Sequence, residues 1–126
     1  FLKKNHIVIL DRYLDSSIAY QGMARGLGID TILDLHKHSP LDTRPICTFY
    51  LQIDIETSMQ RQSSRGNEKD YFEKENQNFY QSLIDGYELS SKRFPDRIQV
   101  INGKSNQDSI HQNILQTLKE KTGIEL

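Results

Sequence analysis

Residues Ile7 to Gln21, reading IVILDRYLDSSIAYQ, constrain this chain more than any other stretch. An apolar run ends in an acid, and an arginine follows at once. A buried parallel strand delivers polar residues to its carboxyl end in this way, and open α/β sheets bind ligands there. At that position Asp11 can hold or orient a metal ion. Arg12 can grip a phosphate with the planar fork of its guanidinium. Ser16, Ser17, Tyr20 and Gln21 then form a polar cluster at helical spacing, suited to a sugar and a base. Together these residues describe a nucleotide site. For the apolar run and the Asp-Arg pair alone, a plainer reading prevails: a strand, a helix cap and a surface ion pair.

Hydrophobic patterning extends the α/β reading along the chain. His6–Leu10 is expected as a first strand, Cys47–Ile53 as a second and Arg97–Ile101 as a third. Helical segments alternate with them. Asp15 or Ser16 caps a helix running to about Arg25, broken by Gly26 and Gly28. Asp30 caps the next, with Ile32, Leu33 and Leu35 inward. Glu56–Arg65 is helical and ends at Gly66. Asp70 and Glu73 are spaced as a capping box for a long helix with Phe72, Phe79, Leu83 and Tyr87 on one face. Pro95 follows that helix. Asp108 caps the last helix, whose stripe is Ile110, Ile114, Leu115 and Leu118 and whose stop is Gly123. Alternating strands and helices imply parallel strands with crossover connections.

The chain has 126 residues, enough for one domain with one core. Its net charge of −1 gives no broad basic field for nucleic acid. No apolar run approaches the length needed to span a membrane. Cys47 is the single cysteine, which excludes an intrachain disulfide and reads as a core residue; the chain suits a reducing cytoplasm. His6, His36, His38 and His111 show no metal-ligand spacing and read as surface or structural.

The full pattern of Ile9, Leu10, Asp11, Arg12, Tyr13, Ser16, Ser17, Ala19, Tyr20 and Gln21, continued by Gly22 and Arg25-Gly26, resembles the signature of the thymidylate kinases. The stretch Asp54–Glu75 resembles that family's lid, at about residues 57–70, and the long helix behind it. Tyr71, Ile84, Gln52 and Ile46 depart from residues common in the family.

The resemblance implies a P-loop NTPase-like parallel sheet with flanking helices, of which this chain would carry three strands. No G-x-x-x-x-G-K-[ST] phosphate loop occurs in the chain. In the family that loop lies upstream of the Asp-Arg motif. Residues 1–126 are therefore expected to be the carboxyl-terminal part of a single nucleoside monophosphate kinase domain, inactive alone and with a gap in the sheet.

The function implied is transfer of a phosphoryl group from ATP to dTMP, giving dTDP for dTTP synthesis, with Mg2+, in a cytoplasmic homodimer binding neither nucleic acid nor membrane. Arg12 would bind the dTMP phosphate, Ser16 would contribute to the substrate site, and Ser17 and Gln21 would face thymine. Tyr20 would lie against the deoxyribose, and Asp11 would organise Mg2+. Arg61 would reach adenine or the ATP phosphates, and Arg65 would support the closed lid. Asn102 and Gly103 would offer backbone contacts to adenine, although a simple turn explains that pair nearly as well. Two alternatives stay open: another nucleoside or nucleoside monophosphate kinase, and a non-catalytic nucleotide-binding module.

Overall fold

The two segments richest in branched and aromatic residues after Pro45 pair as strands. In the computed structural model, which describes residues 6–38, 42–64 and 76–124, β1 (Thr48–Gln52) lies parallel to β2 (Ile98–Asn102). Thr48 stands opposite Ile98, and Gln52 opposite Asn102. Parallel neighbours need a crossover. Here it contains α3 (Ile55–Ser63) and α4 (Asn76–Arg93). Both strands thus end at the same side, as the alternating pattern requires.

Ahead of the sheet come α1 (Leu14–Ser17), a π-helix (Ile18–Ala24) and α2 (Ile29–Leu35). Leu14, Ile18 and Ile32 form a buried cluster, with Tyr13, Ile29, Leu33 and Phe94 packed against it. Ala19, Leu83, Ile98 and Ile101 are also buried. Helix α4 lies along the π-helix at very short range. A Cβ on Gly86 would stand 2.8 Å from Ala19 Cα. The missing side chain is what lets the two backbones approach.

Several expectations hold. Leu83 is buried between half-buried Phe79 and Tyr87 on one face of α4. Gly26 and Gly28 take φ of 75° and 84°, which ends the first helical segment. Gly123, at φ 70°, terminates α5 (Gln107–Thr122), and its N–H donates to Lys119 O at 2.8 Å.

Other expectations are corrected. His6–Leu10 is not a strand, and Ile7, Val8, Ile9 and Leu10 are exposed. A strand exists only where a neighbour takes up its backbone groups. Among the described residues the sheet has two strands, not three, and neither pairs with this segment.

The helix expected to run regularly to Arg25 becomes a π-helix at Ile18; the Arg25 N–H, for example, donates to Tyr20 O at 3.0 Å. Asp30 lies inside the first turn of α2, because Gly28 takes the cap position, and Leu35 faces solvent. Asn106, not Asp108, caps α5, its Oδ1 accepting from Ser109 N at 2.8 Å. The α5 stripe is only half-buried, since the helix packs chiefly on β2. Cys47 is likewise half-buried, and burial pushes its thiol pKa up. Arg65, Gly66, Asp70, Phe72, Glu73 and the later part of the expected lid lie outside the described residues. Among the described residues no helix is long and apolar enough to cross a membrane.

Candidate active site

The Asp-Arg pair sits where the irregular segment His6–Leu10 bends into α1. Arg12 has φ 71°, in the left-handed region. A non-glycine residue held there costs about 1–3 kcal/mol and persists only where its surroundings fix it. The turn brings the Arg12 guanidinium over the Tyr20 ring, 5.3 Å from its centroid. That contact lies within cation–π range. The Tyr20 ring in turn meets Phe79 of α4 edge-on at 6.1 Å. Arg12 is exposed and Tyr20 half-buried, so the stacked pair faces an open surface.

Ser16 is held by the same helix, α4. Its Oγ shares a hydrogen bond of 2.8 Å with the Tyr87 hydroxyl. Tyr87 stacks on Tyr50 of β1, with centroids 5.3 Å apart. Burial raises the pKa of both phenols, to about 12 for Tyr50, where Glu88 and Tyr87 add to the shift. Both therefore stay protonated as hydrogen-bonding groups at neutral pH. The Ser17 hydroxyl turns back toward Tyr13 O at 3.4 Å, a long contact that leaves its oxygen able to accept. Gln21 is exposed on the π-helix. Arg12, Ser16 and Tyr20 are thus joined through shared neighbours on α4, while Asp11 is an exposed carboxylate just ahead of them.

A second cluster lies at the carboxyl ends of the strands. Arg61 Nη2, from α3, donates to Gly103 O at 2.9 Å. Two residues singled out far apart in sequence therefore meet. Gly103 is buried, and its N–H donates to Gln52 O at 2.9 Å. A Cβ there would stand 2.8 Å from Ile53 Cγ2 and 3.0 Å from Gln52 O, so only glycine fits without displacement. The Asn102 side chain accepts from Lys104 N at 3.0 Å, shaping the turn.

Lys104 Nζ pairs with Asp54, whose other oxygen accepts from Thr57 N at 2.8 Å at the start of α3. These hydrogen bonds, that to Lys104 foremost, hold the Asp54 carboxyl well below the usual carboxylate range. An open groove beside this turn is lined by Gln52, Asp54, Glu88, Asn102 and Lys104. It occupies the place where α/β sheets bind ligands.

Residues with no obvious motif also shape the site. Tyr87 was read from its spacing as a helix-face residue, and nothing in one sequence marks its hydroxyl as the partner of Ser16. Gly86 gave no local signal either, because the need for a glycine arises from a helix distant in sequence. Asp15 and Arg97 form a buried ion pair, with Arg97 Nη2 2.6 Å from Asp15 Oδ1. In the sequence these two residues mark only a cap and a strand end.

The family model described as thymidylate kinase matches residues 1–114. The chain belongs to the thymidylate kinase family. It is 40% identical over 121 residues to a thymidylate kinase of Mycoplasmopsis pulmonis, covering 94% of this chain and 52% of that protein. A thymidylate kinase of Bacillus velezensis is 38% identical over 120 residues, covering 94% and 57%. A crystal structure of thymidylate kinase from Ehrlichia chaffeensis matches with a TM-score of 0.65 and 28% identity, covering 94% of this chain and 53% of that one. The chain thus spans about half the length of the thymidylate kinases it matches, and the two parallel strands among its described residues, with flanking helices, form an incomplete version of the family's P-loop NTPase fold.

Proposed function

We propose that this chain supplies the monophosphate-binding part and the lid helix of an enzyme that transfers the γ-phosphoryl group of ATP to dTMP, giving dTDP for dTTP synthesis. The observation that carries the reading is the Arg12 guanidinium stacked on Tyr20 beside the anchored Ser16, all within the segment matched to the thymidylate kinase family. Residues 1–126 would be the carboxyl-terminal part of one nucleoside monophosphate kinase domain. The phosphate loop would come from the part of the relatives' length that the chain does not span.

The roles follow from the chemistry of each group. Phosphoryl transfer depends mainly on positioning and on spreading negative charge. Arg12 offers two parallel N–H groups to a phosphate while its flat face stays on Tyr20. Tyr20, wedged against Phe79, presents a rigid ring edge to the deoxyribose. Exposed Gln21 and the accepting Ser17 hydroxyl face the base. Arg61 ties α3 to the turn at Asn102 and Gly103, and its remaining donors would reach adenine or the ATP phosphates. Arg65 would support the closed lid.

Among the described residues no three acidic, histidine or cysteine side chains converge as a metal cage. Mg2+ is usually held by one or two carboxylates together with substrate phosphates, and Asp11 fits that mode as a single accessible carboxylate. When bound, Mg2+ would offset charge on the transferring phosphates. A cytoplasmic homodimer without nucleic-acid or membrane partners belongs to the same proposal; sedimentation of the full-length protein tests its stoichiometry.

The decisive experiment is a coupled ADP-release assay on the full-length protein with ATP, Mg2+ and a panel of monophosphates. A marked preference for dTMP over uridine, cytidine and guanosine monophosphates is expected. Preference for another monophosphate would make it a different kinase. Absence of turnover with all of them would leave a nucleotide-binding module.

A further inference from the structure

We infer that Asp15 and Arg97 are positioning residues that fix the rotation of α1 and thereby aim Arg12 at the monophosphate; this rests on the proposed dTMP kinase function. Arg97 Nη2 and Nη1 reach Asp15 Oδ1 at 2.6 Å and Oδ2 at 2.7 Å. The Thr48 hydroxyl closes the network, donating to Asp15 Oδ2 at 2.9 Å and accepting from Arg97 Nη1 at 2.9 Å. Phe94 covers the guanidinium face at 5.2 Å. The Asp15 side chain is 8% exposed and that of Arg97 16%. Thr48 opens β1 and Arg97 immediately precedes β2. The network therefore ties α1 to the amino ends of both strands.

A buried ion pair adds little net stability, because desolvation offsets most of its attraction. Its two-pronged geometry is directional, and that is what this site can use. Asp15 and Ser16 are consecutive, so their side chains leave a helix about 100° apart. Asp15 is held by the strand ends, and Ser16 is held by Tyr87 of α4. Leu14 seats α1 in the core, and the two polar anchors, in different directions, set the rotation at which it is held. Arg12 lies three residues before Asp15 in an unfavourable backbone conformation, and its guanidinium rests on Tyr20 beyond α1. Rotation of α1 would separate that pair while leaving β1, β2 and the Arg61–Gly103 contact in place.

The test uses full-length protein with Asp15→Asn, Arg97→Lys and the mild variant Thr48→Val. Arg93→Lys, altering the exposed pair with Asp30, is the control. Asp15→Asn and Arg97→Lys are expected to raise the KM for dTMP about 10-fold or more, since small misplacement of a binding group is costly. The KM for ATP and the kcat at saturating dTMP should stay within about threefold, as expected for lost binding common to ground and transition states. Thr48→Val should shift the dTMP KM in the same direction by about twofold to fivefold, since it removes one hydroxyl from the network.

A rise confined to dTMP in the carboxylate or guanidinium variant supports the proposal. If those variants fail to fold, Thr48→Val decides, and an unchanged dTMP KM overturns the proposal. Folded Asp15→Asn and Arg97→Lys proteins with lower Tm and unchanged dTMP KM also overturn it, leaving a structural pair. Wild-type protein that turns over a different monophosphate, or none, removes the functional reading and this proposal with it.

Discussion

Gly86→Ala tests the close packing of α4 on the π-helix, because two opposing effects predict opposite signs. In an exposed helix interior, alanine is favoured over glycine by about 0.8–1.0 kcal/mol. The substitution would then stabilise. Here the new methyl would stand 2.8 Å from Ala19 Cα and 3.1 Å from Met23 Cβ and Cγ. Carbon atoms pack best at about 3.5–4.0 Å. The Met23 side chain can move aside, but the Ala19 backbone cannot without shifting the π-helix. Inserting a methyl into a packed site costs about 1–3 kcal/mol, and a backbone obstacle places this case toward the upper end. Subtracting the helix gain leaves a net loss of about 1–2 kcal/mol.

Urea unfolding of full-length protein is the assay, read as a shift of the midpoint at constant m-value. The same displacement would move Tyr87 from Ser16 and Phe79 from Tyr20, so the dTMP KM should rise as well. A Gly86→Ala protein more stable than wild type, with unchanged kinetics, would refute the close helix contact and its role in shaping the site.

Arg12→Ala in the full-length protein should weaken dTMP binding by about 2–5 kcal/mol, the range for losing one partner of a desolvated charged contact; unchanged dTMP affinity by calorimetry would reduce Arg12 to a surface cation. Residues 1–126 alone should show no kinase activity, because no glycine loop or its lysine is present to cradle the ATP phosphates; turnover comparable to the full-length protein would overturn that. The pKa of Asp54 is depressed, so its contribution to stability should be present above the ordinary aspartate pKa and lost as pH falls through the lower folded value. Carboxyl NMR titration should show this, and Lys104→Met should return the Asp54 midpoint toward the ordinary range.

The sequence alone determined the local chemistry and the order of the two paired strands and of α2 to α5. Asp11 and Arg12 follow an apolar run, Gly26, Gly28 and Gly123 stop helical segments, and α4 carries its apolar face every fourth residue. These are short-range matters of backbone freedom and side-chain period, so each can be read within a few positions. The thymidylate kinase resemblance was legible for the same reason, since its signature is contiguous.

Tertiary structure alone decided what depends on distant neighbours. His6–Leu10 has strand composition, yet without a partner for its N–H and C=O groups it is an exposed irregular segment. The π-turn at Ile18 accompanies the approach of Ala19 to Gly86, a contact no local propensity encodes. Arg61 meets Gly103 because the crossover makes β2 end beside the end of β1, where α3 begins. Asp15 finds Arg97 and Thr48 only because two parallel strands begin at the same level. Sequence periodicity shows which face of an element is apolar. Which polar group meets which is settled only when separate elements pack and buried donors find acceptors.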